Sequence, residues 1–405
     1  MQRIVILGAG IAGLSLASLL DDKKYNVTVY EKVKCKEDLG YFWKDDVEFE
    51  LIKKIGLNFE TSEEEIWNIF FASNLISYTT KNKNKGLIDR KKLSEKLYEK
   101  ASVKAKIKFN SLAEVKDGNL KVNDKIIDNY DLLIDCRGCV KTNANQIFFT
   151  KRIILKKLSS NNSRNIFLKP CNINGIAWCN FYENYIDILI GQIGFLDEIT
   201  IKKVLDFIHD KFNIDVIDKD NKIYKIPVRY PSNIFFKNKY VMLGDIVNMT
   251  IPITGSGINC TIDAAFILSE ILNTNNIENK DIRNNLLWKY QAEYIKKHGV
   301  KALQIDLVKN WLLSTNINNL DFIIKRNILN SNDINNLMNG IFNYSYNKIL
   351  ILLKKPKLAF ELINLIIKII NVNYLIKKIP KEYNEKEIKK WYKKINKLFN
   401  YNDKI

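Results

Sequence analysis

Histidine, proline and cysteine are scarce in this chain of 405 residues, which has two His, six Pro and six Cys. His209 and His298 are far apart in polar stretches that predict helices, which argues against a catalytic histidine pair or a histidine-rich metal site. We therefore expect no metal. The few cysteines and the lack of a secretory signal favour a reducing, cytoplasmic setting. No long Pro/Gly stretch divides the chain.

Glycine is also sparse, with 16 residues, but three of them lie within six positions near the start. An apolar run at 4–7 leads directly into Gly8-Ala-Gly10-Ile-Ala-Gly13. Gly8 permits a tight turn, Gly10 lets the backbone approach a pyrophosphate, and Gly13 lets the following helix pack close to the strand. The pattern predicts the first strand, turn and helix of a dinucleotide-binding βαβ unit.

The second strand of that unit is predicted at 27–30 and ends in Glu31. A carboxylate at this position can accept hydrogen bonds from a ribose diol. The start of the helix offers free N–H groups to the phosphates. The remaining residues expected at this nucleotide site are Ile11, Ala12 and Lys32.

A second glycine-rich segment follows about 230 residues later. An apolar run at 240–243 precedes Gly244-Asp245, and a loop then leads into a helix predicted over 261–272. The Asp245 carboxylate can accept a bond from a ribitol hydroxyl. The N–H groups at the start of the helix can stabilise an anion such as the one on a reduced flavin. The loop residues expected at the cofactor are Pro252, Gly255, Ser256, Gly257, Ile258 and Asn259.

Together the two motifs resemble the FAD-dependent superfamily of aromatic hydroxylases, flavin halogenases, lycopene cyclases and geranylgeranyl reductases. The resemblance covers about residues 1–310. It implies that the N-terminal motif binds the ADP half of FAD, that Asp245 lies near the ribitol and pyrophosphate, and that 255–259 lie beside the flavin ring. It also implies that Arg90 lies near the flavin and that Gly138 belongs to the cofactor site.

The finer resemblance is to the geranylgeranyl reductase branch. Residues 252–258 resemble its P-x-T-G-x-G-I motif, and Ile226-Pro-Val228 resembles a further element of that branch. Asp135-Cys-Arg137-Gly138 lacks the Asp-Gly end that is typical of hydroxylases, and Asn248 stands where they usually carry a histidine. Arg137 is instead similar to the lycopene cyclase pattern.

The predicted fold class is α/β. A Rossmann-type FAD-binding domain with a mixed sheet, over 1–75, 86–155 and 236–285, is interleaved with a β-sheet substrate domain over 156–235. Residues 286–405 are expected to form a helical region. Short alternating runs between 166 and 194 predict strands with one covered face. The aromatic residues expected to present one sheet face to an apolar substrate, or else to fill the core, are Trp178, Phe181 and Tyr185.

Charge is strongly one-sided, with 64 Lys and Arg against 45 Asp and Glu. No nucleic-acid motif accompanies the excess, so no nucleic-acid partner is expected. A helix with apolar residues from 358 to 370 is interrupted by charges and is expected to be too polar to span a bilayer. A basic amphipathic helix at 388–399 either lies on a membrane surface or packs against the body of the protein.

The first functional hypothesis is a flavoenzyme that reduces C=C bonds of an isoprenoid or similar apolar lipid by hydride transfer from flavin N5. No second nucleotide motif is visible, so an external electron donor, NAD(P)H or ferredoxin, is expected. One alternative is an FAD-dependent monooxygenase of an aromatic or polyketide-type molecule. A third is a non-redox, lycopene cyclase-like flavoprotein, for which Arg137 is the support.

Overall fold

The computed structural model describes residues 1–59, 65–71, 74–80, 85–116, 119–139, 147–156, 162–216, 222–231, 233–338 and 346–399. The strands are β1 (Gln2–Leu7), β2 (Tyr25–Tyr30), β3 (Lys44–Glu48), β4 (Glu65–Phe71), β5 (Asn74–Thr80), β6 (Lys85–Asp89), β7 (Ala105–Lys108), β8 (Ala113–Lys116), β9 (Asn119–Val122), β10 (Lys125–Ile127), β11 (Leu132–Asp135), β12 (Ile147–Lys156), β13 (Ser163–Leu168), β14 (Gly175–Tyr182), β15 (Tyr185–Ile193), β16 (Tyr224–Pro227), β17 (Phe236–Lys237) and β18 (Tyr240–Met242).

The helices follow the same chain order. They are α1 (Ile11–Leu19), α2 (Phe49–Lys54), α3 (Arg90–Ser102), α4 (Glu198–Phe212), α5 (Ile258–Thr274), α6 (Lys280–Tyr294), α7 (Val300–Ser314), α8 (Ile317–Lys325), α9 (Ser331–Met338), α10 (Tyr346–Leu352), α11 (Pro356–Lys377) and α12 (Glu385–Lys397).

The first sheet has the strand order β17-β18-β11-β1-β2-β7, with β1 near its centre. β1 pairs in parallel with β2 and β11, and β17 runs antiparallel to β18. The continuous apolar run 4–7 is buried on both faces, as expected for a central parallel strand. Helices α1, α3 and α5 pack together on one face, and the sheet β10-β9-β8 covers the other. This is the predicted mixed α/β, Rossmann-like fold.

The second sheet has the order β16-β12-β15-β14-β13-β4-β5 and is antiparallel except where β13 pairs with β4. One face packs on α4 and forms a separate apolar core. The expected domain boundaries placed β4 and β12 with the nucleotide-binding segments, whereas both strands belong to this sheet. Strand composition does not say which sheet a strand joins, because partner choice is made by contacts distant in sequence.

Helix α12 packs against the body of the protein. Its apolar stripe, including Trp391 and Ile395, is buried. Gln291 Nε2 on α6 donates to the Tyr392 hydroxyl at 2.7 Å, and Trp391 Nε1 donates to the Leu375 carbonyl at 2.8 Å. The apolar face expected as one alternative to enter a membrane is therefore part of the core. Residues 400–405, which follow this helix, lie outside the described residues.

Helix α11 differs from the sequence expectation as well. Its 22 residues are long and apolar enough to cross a membrane by length and composition alone. Only 28% of that apolar window is buried in the protein. Between Leu358 and Ile376 the only charged residues are Glu361 and Lys368, which are too few to make that stretch polar overall.

Candidate cofactor and substrate site

One large cavity joins the two sheets and the C-terminal helices. Its volume is about 1740 Å³, and its walls include both glycine motifs, one face of the second sheet and residues of α7, α10 and α11. Ligand pockets commonly measure about 300–1,000 Å³. The cavity is thus large enough for a dinucleotide cofactor together with a second molecule.

The N-terminal glycine motif forms one end of this cavity. Gly8 has a φ of 95°, and a Cβ there would lie 2.8 Å from the Cys136 carbonyl oxygen. A Cβ at Gly13 would lie 2.0 Å from the Gly8 carbonyl oxygen, so α1 can approach the turn only with glycine at that position. A Cβ at Gly10 would meet nothing within 4 Å. The motif therefore leaves open space at the start of α1, which fits a pyrophosphate.

The acid at the end of β2 is held by the same turn. Glu31 is buried, and its Oε2 accepts a hydrogen bond from the Ala9 N–H at 2.6 Å, while Oε1 accepts from the Val33 N–H at 3.1 Å. These two bonds fix the carboxylate at the cavity wall. A carboxylate oxygen has further lone pairs, which fit a ribose diol.

The second glycine motif lines the middle of the cavity. Gly244 and Gly255 have φ values of 88° and 69°, and α5 begins at Ile258 with Gly257 as its N-cap. A Cβ at Gly257 would lie 3.1 Å from Asp245 Oδ1, so the acid and the start of the helix are adjacent. Burial raises the pKa of Asp245, and the Arg90 guanidinium partly offsets this rise. A hydroxyl donor such as that of a ribitol chain suits this carboxylate.

The cavity brings together most of the residues predicted for the cofactor. Those that line it are Gly8, Gly10, Ile11, Ala12, Glu31, Lys32, Arg90, Gly138, Gly244, Asp245, Gly255, Ser256, Gly257 and Ile258. Gly13, Pro252 and Asn259 are not among the lining residues. Asn259 Oδ1 instead accepts a bond from the Glu48 N–H at 2.9 Å, which ties the start of α5 to β3.

Arg90 belongs to an ion-pair network that the sequence did not indicate. Asp89 caps α3 and so fixes Arg90 at the start of the helix. Arg90 Nη1 lies 3.0 Å from Asp45 Oδ2 on β3, and Arg152 Nη1 on β12 lies 3.2 Å from Asp45 Oδ1. Arg152 also binds Asp187 on β15 through two nitrogens, at 2.9 and 2.7 Å. Burial opposes ionisation of Asp45, but Arg152 and Arg90 outweigh it and lower its pKa.

Indole rings enclose this network. The Arg152 guanidinium lies 4.4 Å from the Trp43 ring centroid and 5.4 Å from that of Trp178. The indole nitrogens of both tryptophans and Nε of Arg90 are buried without a hydrogen-bond acceptor from the described residues. All three residues line the cavity.

The three aromatic residues predicted for the substrate wall do not all lie on the same face of the second sheet. Trp178 lines the cavity, but Phe181 points from the opposite face of β14 and packs on Phe212 of α4 at 5.3 Å between ring centroids. This corrects the prediction of a common face, since side chains three apart on a strand point in opposite directions. Tyr185 lies opposite Tyr182 on the cavity side of the sheet, although it is not a lining residue.

The far end of the cavity is apolar and helical. It was not predicted, because the contributing helices lie more than 40 residues beyond the second glycine motif and carry no motif of their own. An amphipathic pattern indicates a buried face without naming what it faces. The lining residues from α7, α10 and α11 are Val308, Trp311, Leu312, Lys348, Leu352, Leu362, Leu365, Ile366 and Ile369.

Arg137 has a structural role at the end of β11. Its Nε and Nη2 bind the buried Asp135 carboxylate at 2.9 and 2.6 Å, and Nη1 donates to the Ala113 carbonyl at 2.8 Å. The Tyr240 hydroxyl donates to the same carboxylate at 2.6 Å. The guanidinium thus links β11 to β8, and the resemblance of this residue to the cyclases has a local structural explanation.

Two family models match parts of the chain. The NAD(P)-binding Rossmann-like domain matches residues 6–35, which contain the end of β1, all of α1 and β2 and the five residues after β2. Squalene epoxidase matches residues 195–345. No curated protein is similar enough in sequence to count as a relative.

Solved structures share the architecture at low sequence identity. A geranylgeranyl bacteriochlorophyll reductase-like protein from Thermoplasma acidophilum is 16% identical, with a TM-score of 0.67 over 90% of this chain and 99% of its own. A probable FAD-dependent monooxygenase from Pseudomonas aeruginosa is 15% identical, with a TM-score of 0.56 over 77% and 97%. CtdE, solved with FAD and a substrate, is 14% identical, with a TM-score of 0.54 over 76% and 90%. This chain therefore has the fold of the FAD-dependent oxidoreductase superfamily, and the residues of its glycine motifs fit FAD.

Proposed function

We propose that the protein is an FAD-dependent reductase that adds hydrogen across C=C bonds of an isoprenoid or a similar apolar lipid. The observation that carries this proposal is the continuity of the cavity. It extends from the two glycine motifs to an apolar chamber walled by α7, α10 and α11. FAD, when bound, supplies the two-electron chemistry, and the chain supplies position and shielding.

The chamber supports an apolar substrate with a polar end. Its far wall consists mostly of leucine and isoleucine side chains, together with Val308, Trp311 and one charged residue, Lys348. The apolar side chains gain free energy by covering apolar carbon. Trp43, Trp178 and Arg90 also line the cavity and add two indole rings and a guanidinium to its wall. An alkene within a longer chain could thus lie at the junction while its chain fills the helical end. External electron supply, from NAD(P)H or ferredoxin, remains part of the proposal.

The test is a single-turnover experiment without oxygen. The FAD-loaded protein is reduced with dithionite, freed of excess reductant and mixed with an unsaturated isoprenoid lipid or with its saturated analogue. We expect the flavin to reoxidise with the unsaturated lipid alone, and the lipid to gain two hydrogens by mass spectrometry. A flavin that stays reduced with every unsaturated lipid tried, across several chain lengths, would overturn the reductase proposal.

A second candidate is a monooxygenase. The match of residues 195–345 to squalene epoxidase and the structural similarity to a probable FAD-dependent monooxygenase support it. The same reduced protein, mixed with substrate and then with air, distinguishes the two reactions. A product that gains one oxygen atom, formed only after oxygen is admitted, would favour this candidate over the reductase.

A further inference from the structure

Helix α11 presents an exposed apolar stripe. Phe360 and Ile363 are 72% and 48% exposed, and three further residues continue the stripe toward the end of the helix. The spacings of three and four residues place all five on one side of the helix. Exposed apolar residues are ordinary when single, but a contiguous patch indicates an interaction surface. We call this the α11 stripe, and it consists of Phe360, Ile363, Ile367, Ile370 and Tyr374.

Another side of the same helix forms the wall of the cavity. Leu362, Leu365, Ile366 and Ile369 line the chamber, while Ile363, Ile367 and Ile370 alternate with them and point outward. A helix with its side chains is about 10 Å across. The thickness of one helix thus separates the chamber from the surface that contacts the stripe.

The helices that carry and follow the stripe are rich in positive charge. Residues 346–399 contain fourteen lysines against four glutamates. Lys378 Nζ donates to the Tyr374 hydroxyl at the end of the stripe, and this lysine, with Lys394 of α12, lowers the pKa of that hydroxyl. The exposed lysines of α12 are Lys386, Lys389, Lys390, Lys393, Lys394 and Lys397.

We propose that the α11 stripe docks on an anionic membrane surface, with its apolar side chains at the acyl boundary and the lysines of α12 against the headgroups. An apolar helix side bordered by lysines is the arrangement that binds such surfaces. The helix lies in the interface rather than crossing the bilayer, because its other side is built into the cavity wall. Docking places the chamber next to the bilayer, and this proposal does not depend on which reaction occurs.

The experiment is vesicle flotation with the full-length protein. Vesicles contain phosphatidylcholine alone or phosphatidylcholine with phosphatidylserine. We expect strong binding to the anionic vesicles, weakened by salt. The double variant F360S/I367S should lose at least about tenfold in binding, since two partly exposed apolar side chains no longer leave water. The matched control is I199S/I282S, which removes isoleucines that are 80% and 52% exposed elsewhere.

A second pair of substitutions tests the electrostatic part. K393Q/K394Q should reduce binding to the anionic vesicles and leave the weak binding to neutral vesicles unchanged. If F360S/I367S and the control I199S/I282S bound anionic vesicles equally well, the proposal would be overturned. A stripe variant that changes the oligomeric state in size-exclusion chromatography would also overturn it, because a second copy of the chain would then cover the stripe.

Discussion

Gly10 is the residue at which cofactor binding and folding can be separated. Its φ of −75° is accessible to any residue, and an added Cβ would touch no protein atom within 4 Å. We expect Gly10→Ala to fold with an unchanged melting temperature without cofactor and to bind FAD at least about tenfold more weakly, since the methyl group would occupy the pyrophosphate position. Fluorescence titration with FAD measures this affinity.

Gly13→Ala provides the contrast to that variant. Its Cβ would lie 2.0 Å from the Gly8 carbonyl oxygen, so the strand and helix must separate. This change should lower stability itself as well as FAD binding. Unchanged FAD affinity in Gly10→Ala would show that the pyrophosphate does not lie at this turn.

A buried carboxylate on α5, outside the cavity, forms ion pairs with two cations. Asp263 Oδ2 lies 2.7 Å from His298 Nε2, and Lys297 Nζ lies 2.7 Å from the same carboxylate. Burial opposes ionisation of Asp263, but hydrogen bonds from His298 and Lys297 lower its pKa to about 2. Burial also opposes the charge on His298, while Asp263 and Cys260 raise its pKa to about 9. The π-helical turn Ile295–Gly299 carries both cations.

The pH dependence of stability follows from these pKa values. The contribution of His298 is complete below the unfolded pKa of about 6.5 and is lost as pH rises through about 9. The contribution of Asp263 is complete above about 3.8 and is lost as pH falls through about 2. We expect His298→Gln to lower the free energy of unfolding by about 1–3 kcal/mol at pH 6.

Urea unfolding at pH 6 and at pH 9.5 checks this expectation. The difference between the wild type and His298→Gln should shrink at the higher pH, because the wild-type imidazole is then neutral. His209→Gln is the control, since its side chain is 48% exposed beside an exposed acid. A difference that stays constant with pH would contradict the ion pair.

At the scale of elements, α11 and α12 show how similar amphipathic patterns take different roles. The apolar stripe of α12 is buried against α6 and α11, whereas α11 has one side in the chamber and another in solvent. Periodicity fixes which residues share a side of a helix. It does not fix what that side contacts, because the contact depends on distant parts of the chain.

Neighbouring isoleucines on α11 test the cavity wall. Ile366 lines the chamber, and Ile367 is 51% exposed on the α11 stripe. We expect Ile366→Trp to reduce turnover of a long-chain substrate by about tenfold with unchanged FAD content, because the ring fills space needed by the chain. Ile367→Trp should leave turnover in detergent nearly unchanged. Steady-state assays with short and long substrates measure the effect, and equal loss in both variants would place the substrate elsewhere.

At the scale of the whole molecule, a buried arginine connects the two sheets through β3. Arg152 is 7% exposed in its side chain and lies on β12 of the second sheet. It binds Asp187 of the same sheet and Asp45 of β3, and β3 also contacts α5 of the nucleotide-binding half. In the part of the chain that the structure describes, this ion pair is thus one of two that join the second sheet to β3, the other being Arg164 on β13 with Asp46, at 2.6 and 2.7 Å.

Replacing Arg152 tests that connection. Arg152→Leu should lower the free energy of unfolding by about 3–5 kcal/mol, since Asp187 would keep a buried charge without its partner. Adding Asp187→Leu should restore part of that loss, as no isolated charge then remains. Urea unfolding measures both variants. Lys389→Leu, which breaks an exposed pair with Glu385, should change stability little. If the double variant lost as much free energy of unfolding as the two single substitutions together, the two residues would not be coupled.

Prediction from the sequence was most successful at the nucleotide-binding motif, where binding requires particular residue types at positions close together in the sequence. Gly8, Gly10 and Glu31 meet at the cavity because two adjacent parallel strands, one turn and one helix bring them there. The second sheet was less predictable. Trp178 and Phe181 were expected on one face, though their odd spacing places them on opposite faces. Asp45 and Arg152 are 107 residues apart and carry no local signal.

The sequence by itself determined the cofactor-binding fold, because the backbone requirements of a pyrophosphate site are local: a tight turn, a close helix and an acid at the next strand end. Only the tertiary structure decided which strands joined the second sheet, which side of α11 closed the chamber, and that α12 packed on the body. Those outcomes depend on burial of apolar surface between segments hundreds of residues apart. The hydrophobic effect that drives such burial has no direction and does not specify a partner.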